Sequence, residues 1–229
     1  IVDLDTLLSL ENPEAVKNYF AGLEGKINWI SKFNRQSFNG NFDGNGHTVS
    51  GIYTTKDNSG LFYRASAGAT IKNVGVINSS INGSQTGAIV GTTIDVSGKT
   101  AVIENCYSGE DVTIIGRDIG GGIVGGVGAT TTITNCYSLA TINAPEAYTG
   151  GIAGQQWTKQ LKVIGCYTNN NFVFGSASSW ANKSNSYCVT DTLTADMMKG
   201  EAAITNMPEL DWDSAYYVTS GSFPKLCVF

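Results

Sequence analysis

The feature that most constrains this chain is a motif that returns at even spacing. Ile103-Glu104-Asn105-Cys106-Tyr107 is followed by Ile133-Thr134-Asn135-Cys136-Tyr137 and then by Val163-Ile164-Gly165-Cys166-Tyr167. Val49-Ser50-Gly51-Ile52-Tyr53 and Ile71-Lys72-Asn73-Val74-Gly75 align upstream, and Lys183-Ser184-Asn185-Ser186-Tyr187 is a weaker copy downstream. The motifs end at Tyr53, Gly75, Tyr107, Tyr137, Tyr167 and Tyr187, so the central steps are even and the outermost two are short. A second motif interleaves with the first: Gly60-Leu61-Phe62-Tyr63, Ala88-Ile89-Val90-Gly91, Gly122-Ile123-Val124-Gly125 and Gly151-Ile152-Ala153-Gly154. Two motifs keeping step mark a repeat architecture, in which each unit buries its apolar face only against its neighbours.

The segments between motifs are rich in Thr, Val, Ile, Asn and Gly, with short runs such as "VTII" (112–115) and "TIN" (141–143). A helical repeat needs apolar residues at 3.6 spacing among good helix formers, and that pattern is missing. Roughly three short strands per period are what one coil of a parallel β-helix requires, with coils stacked about 4.8 Å apart. The expected fold is therefore all-β: a single-stranded parallel β-helix, or β-solenoid, of about six coils over residues 26–190. Glycine, at 28 residues against 4 prolines, suits the many tight turns. Only 14% of residues are charged and 41% are hydrophobic, which predicts a packed core rather than disorder.

Stacking gives each motif position a role. Gly51, Asn73, Asn105, Asn135 and Gly165 share one place and are the types that tolerate a left-handed backbone, so a bend is expected there. Asn73, Asn105 and Asn135 can form a side-chain ladder along the axis. Cys106, Cys136 and Cys166 share a column with Ile52 and Val74, which reads as a core slot for small apolar groups. Stacked coils also lie within disulfide range, although five cysteines leave at least one thiol free. No C-x-x-C pair and one histidine give no metal site. The tyrosine after each cysteine points outward. Tyr53, Tyr107, Tyr137 and Tyr167, with Tyr187 and interrupted by Gly75, then form a stripe of rings. Such a stripe suits a sugar or protein partner, or else packs under the capping segments. Trp157, in the insert 155–161, and the insert 92–101 are further contact candidates.

The ends differ, as solenoid caps should. Residues 1–25 are expected to form a capping helix that starts at Asn12-Pro13 and runs to about Phe20. Residues 191–229 are expected to form a helix capped by Thr194 and a strand pair around Ser220-Gly221, all in one cooperative domain.

"SFNGNFDGNGHTVSGIY" (37–53), "GLFY", "GAIVG", "GGIVG", "GGIAG", "IENCYS" and "ITNCYS" resemble the GLUG-motif repeats of bacterial surface proteins. "MMKGEAAITNMPELDW…FPKL" is similar to the segment that often follows those repeats. The resemblance covers residues 26–229. It implies a secreted or cell-wall-attached module of a larger protein, adhesin-like in character. Such repeats also occur beside the peptidase of some immunoglobulin A proteases. The family supplies no catalytic residue and no cofactor.

Net charge of −5 argues against nucleic acid or an anionic membrane as partner. No apolar run is long enough to insert into a bilayer. The start at Ile1 reads as a mature form or an excised piece. A β-helix enzyme would need paired carboxylates on one exposed face. In the stacked register Glu104 meets Lys72 and Thr134 instead, and "FDGNGH", with Asp43 near His47, reads as a turn. The expectation is a non-catalytic extracellular module that binds glycan or host protein. A spacer and a carbohydrate-active enzyme are the alternatives.

Overall fold

The computed structural model describes residues 37–95, 98–145, 148–157, 159–175 and 181–229, together with the backbone of Ile27–Asn28. The helix expected over 12–20 lies outside the described residues. The chain winds into a parallel β-solenoid with three faces. The first face stacks Ile27–Asn28, Ile52–Thr54, Ser79–Gly87, Val112–Gly121 and Thr141–Asn143, with Thr149–Gly150 beside the far half of Val112–Gly121. The second stacks Phe62–Ser66, Val90–Ile94, Val124–Gly128 and Ala153–Gln156. The third runs from Asn41–Ser50 through Thr70–Ile77, Ala101–Glu104, Thr131–Thr134 and Leu161–Ile164 to Ala181–Ser184.

Among the described residues complete three-sided coils number four, one for each strand of the second face, and not six. The sixth motif copy, at 183–187, closes a shortened turn that adds a strand to the third face and, among the described residues, none to the first.

Inward columns explain the stacking. Phe42, Ile71, Ile103, Ile133 and Val163 are register partners on the third face. Ile81, Ile114 and Ile142 align on the first, and Phe62, Val90, Val124 and Ala153 on the second. Ile71, Ile81, Ile103, Ile114 and Ile133 are fully buried, each contributing about 2 kcal/mol of transfer free energy.

The two motifs keep step because they touch inside the coil. A Cβ on Gly122 would lie 2.1 Å from Ser138 Oγ, and one on Gly151 would lie 2.2 Å from Thr168 Oγ1. Ser108 Oγ lies 3.0 Å from the Gly122 carbonyl and 2.8 Å from Ser138 Oγ, hydrogen-bonded to both through one shared hydroxyl proton. The glycines thus make room for an interior hydroxyl ladder.

The first motif copy is displaced from its expected place. Asn41 pairs with Thr70 and His47 with Val74, so the true first copy spans 42–48. Between Asp43 and His47 the register shifts, with Asn45 (φ 49°) and Gly46 (φ 75°) left-handed. Gly51 is also left-handed, but its amide donates to Asn78 at the next corner. Tyr53 accordingly leaves the tyrosine column and pairs with Ser80 on the first face. Ile52 leaves the cysteine column in the same way.

The C-terminal segment holds a 3-10 turn, Asp196–Met198, the helix Gly200–Asn206, and the antiparallel strands Tyr216–Tyr217 and Lys225–Leu226. Thr194 makes no side-chain cap; its carbonyl accepts from Met197. This segment lies along the outside of the third face rather than across its end. Met198, Met207, Leu210, Tyr216, Phe223 and Leu226 form a second apolar cluster with Tyr137 and Tyr167.

Candidate functional site

Asn73 (φ 56°), Asn105 (φ 50°), Asn135 (φ 49°) and Gly165 (φ 60°) turn the third face at one corner. Asn105 Nδ2 donates to Asn73 Oδ1 at 3.1 Å, and Asn73 Nδ2 to Asp43 Oδ1 at 2.9 Å. Asp43 also accepts the Asn45 amide at 2.9 Å. That amide, then Asn73 and Lys72, hold its carboxyl below the usual range, so it is an engaged anion of a turn. Cys106, Cys136 and Cys166 are buried beside the corner, and all five cysteines are free thiols.

Tyr107, Tyr137 and Tyr167 stack face to face, with centroids 4.9 and 5.1 Å apart. Gly75 interrupts the column because the Tyr107 ring occupies its place, 2.2 Å from where a Cβ would sit. The column points away from the coil, but it is not an open surface. Tyr137 is 6% exposed and Tyr167 0%. Tyr167 donates its hydroxyl to the Pro224 carbonyl, Tyr216 packs on its edge, and Phe229 packs edge-on against Tyr107. Residues far downstream therefore cover Tyr137 and Tyr167 and pack against the half-buried Tyr107, the arrangement of the alternative in which the stripe packs under a capping segment.

Trp157 is 36% exposed and lies flat against the second face, where a Cβ on Gly126 would meet its ring at 2.5 Å. Its insert is tied to the insert of the second coil by Lys159 and Asp95, 2.8 Å apart.

A described concavity lies elsewhere, at the end of the first face. It is a groove of about 400 Å³ with Ile142 and Ala144 on its floor. Asn169, Asn170, Asn171 and Phe172 form one wall, and Thr149 and Gly151 close the far end. Asn170 Nδ2 is held at 3.1 Å from Thr168 Oγ1, while the Phe172 ring is 48% exposed. Every described lining side chain is uncharged. The arrangement offers amide and hydroxyl groups above an apolar floor, the mixture found in small-ligand clefts. Sequence reading missed these residues, although the short final step, from Tyr167 to Tyr187, marks where the last coil departs from the pattern. Among the described residues no three His, Cys, Asp or Glu side chains group as a metal site.

No protein-family model matches the chain, and no curated protein does. One solved structure matches over 88% of this chain and 83% of its own, with a TM-score of 0.52 and 20% identity. It is a protein of Bacteroides ovatus described as a "putative immunoglobulin A1 protease". At that identity the likeness is one of fold. The class defined by these features is a parallel β-solenoid with a C-terminal segment strapped along one face.

Proposed function

We propose that this chain is a non-catalytic module of a bacterial surface protein, extracellular or attached to the cell wall and part of a longer polypeptide. Its role in this reading is to bind a neutral glycan or an uncharged stretch of host protein. The observation that supports it is the uncharged, amide-walled groove between Ile142 and Phe172. Among the described residues the lining holds no cation to attract phosphate, which disfavours nucleic acid. The GLUG-like repeats support the surface setting, and the B. ovatus neighbour shares the fold.

The test is binding of the 229-residue chain to a glycan array and a panel of matrix proteins. A selective hit lost in Phe172→Ala, with the circular dichroism spectrum unchanged, is the expected result. Blank panels would overturn binding and leave the spacer, a reading that the burial of the tyrosine column favours. The name of the B. ovatus protein raises peptidase activity as a rival. Incubation with immunoglobulin A1 is expected to leave the heavy chain intact, and cleavage would sink the non-catalytic reading.

A further inference from the structure

We propose that the groove is a vacant strand position in the first face and accepts an extended peptide as an added β-strand; this rests on the groove being the binding site. Each complete coil lays a strand on every face. From Ser138 on the third face the chain reaches Ala153 on the second by way of Thr141–Asn143 and Thr149–Gly150. One coil later their register partners, Thr168 and Phe174, are joined by 169–173 alone. The final coil thus crosses directly and leaves out the first-face strand.

Thr141–Asn143 is therefore the last strand of its face. It pairs with Thr113–Ile115 on one side and, among the described residues, with no strand on the other. The final coil fills only the margins of the gap. Asn169 and Asn170 give side-chain amides to the carbonyls of Leu139 and Ala140, at 3.4 and 3.2 Å. At the far end the Phe172 carbonyl accepts the Gly151 amide at 2.6 Å. The edge between these margins opens into the groove.

An open strand edge is a template for another chain. Peptides that add to such an edge gain affinity from main-chain hydrogen bonds and specificity from alternate side chains. The register specifies that alternation here. Ile81, Ile114 and Ile142 stack inward, flanked by Ser80 and Asn82, Thr113 and Ile115, Thr141 and Asn143. The occupant is an uncharged extended segment of a partner protein, with an aliphatic residue over Ile142 between polar or β-branched neighbours.

The probe is a fluorescent peptide with the sequence of residues 139–145, LATINAP, titrated against the 229-residue chain. Saturable binding is expected, weakened about 10-fold or more by Ile→Asp in the peptide and by Ile142→Lys in the protein, since edge lysines oppose pairing. Peptide-induced protection of the 141–143 amides in hydrogen exchange is the second readout and needs no variant. Saturation with protection elsewhere in the molecule would overturn the proposal. No saturation at millimolar peptide, with a glycan hit that Phe172→Ala abolishes, would overturn the strand site and leave the groove reading intact. Failure of both probes would overturn both.

Discussion

The backbone amide of Cys136 donates to the sulfur of Cys166, one coil on, at 3.3 Å. That thiol in turn donates to the Ile164 carbonyl at 3.3 Å. Cys106 uses the sulfur of Cys136 in the same way, also at 3.3 Å, and Cys166 finds the Ser186 hydroxyl at 3.1 Å. The column is a hydrogen-bond ladder at a corner where the left-handed bend would otherwise leave buried amides unpaired. Cys136→Ala should therefore leave the Cys106 amide without a partner and open a small cavity, destabilising by about 2–4 kcal/mol. Cys136→Ser keeps donor and acceptor, as Ser186 does naturally, and should lose less. Urea denaturation orders the two variants, and equal losses would show that the ladder contributes nothing.

The same burial governs reactivity. Cys136 lies in the dry interior, and burial first, then its Cys106 and Cys166 neighbours, push its thiol well up. Cys227 alone is exposed, and partial burial with Asp213 and Asp211 nearby raises it mildly. Alkylation of the native protein should give one adduct, on Cys227, faster as pH rises because only the thiolate attacks. Mass spectrometry after brief iodoacetamide treatment reads this directly. Early labelling of Cys106, Cys136 or Cys166 would contradict a closed core.

What the sequence shows and what it hides follow from distance along the chain. The bend at Asn105 and Asn135 and the inward cysteines are legible because each recurs at a fixed offset that stacking makes physical. The first copy misleads because Gly51 is left-handed at a different corner, so 49–53 imitates the motif while 42–48 occupies its place. The outward direction of Tyr137 and Tyr167 follows from strand alternation. Their burial is one of two readings that the sequence leaves open, since Tyr216, Phe223 and Pro224 arrive from a segment that no local pattern links to them. The groove was hidden for another reason: a strand that the last coil omits has no motif.

The interior glycines give a prediction that depends on both motifs. Gly151→Ala would set a methyl 2.2 Å from Thr168 Oγ1 and 2.6 Å from Thr168 Cβ, both in a fully buried strand. Overpacking of this kind costs about 3 kcal/mol. Thr168→Gly in the same chain should restore part of the loss, because it clears the threonine atoms from that space. Gly98 is the comparison: a Cβ there would meet nothing within 4 Å and its φ is +65°, so Gly98→Asn should be nearly neutral. Thermal melting of the four proteins tests the set, and a Gly151→Ala melt like wild type would refute the packing account.

High pH should act through the covered tyrosines. Burial pushes the phenols of Tyr137, Tyr167 and Tyr216 upward, so the native state keeps their protons. The unfolded chain releases them near pH ~10. Below that pH both states are protonated and the contribution to stability is complete. Above it, the unfolded state binds fewer protons and stability falls by about 1.4 kcal/mol per pH unit for each tyrosine, about 4 for the three. Urea midpoints should be level from neutral pH up to pH ~8, begin to fall as the unfolded Cys136 thiol ionises near pH ~8.5, and drop steeply beyond pH ~10. Tyr216→Phe separates titration from packing. It loses hydroxyl bonds to the Cys136 and Gly165 carbonyls, 3.2 and 2.9 Å long, so it should be weaker at neutral pH. It also lacks one of the titrating groups, so its alkaline slope should be shallower by about 1.4 kcal/mol per pH unit. A variant that is weaker at neutral pH but falls as steeply as wild type would remove Tyr216 from the alkaline transition and point to other groups as its cause.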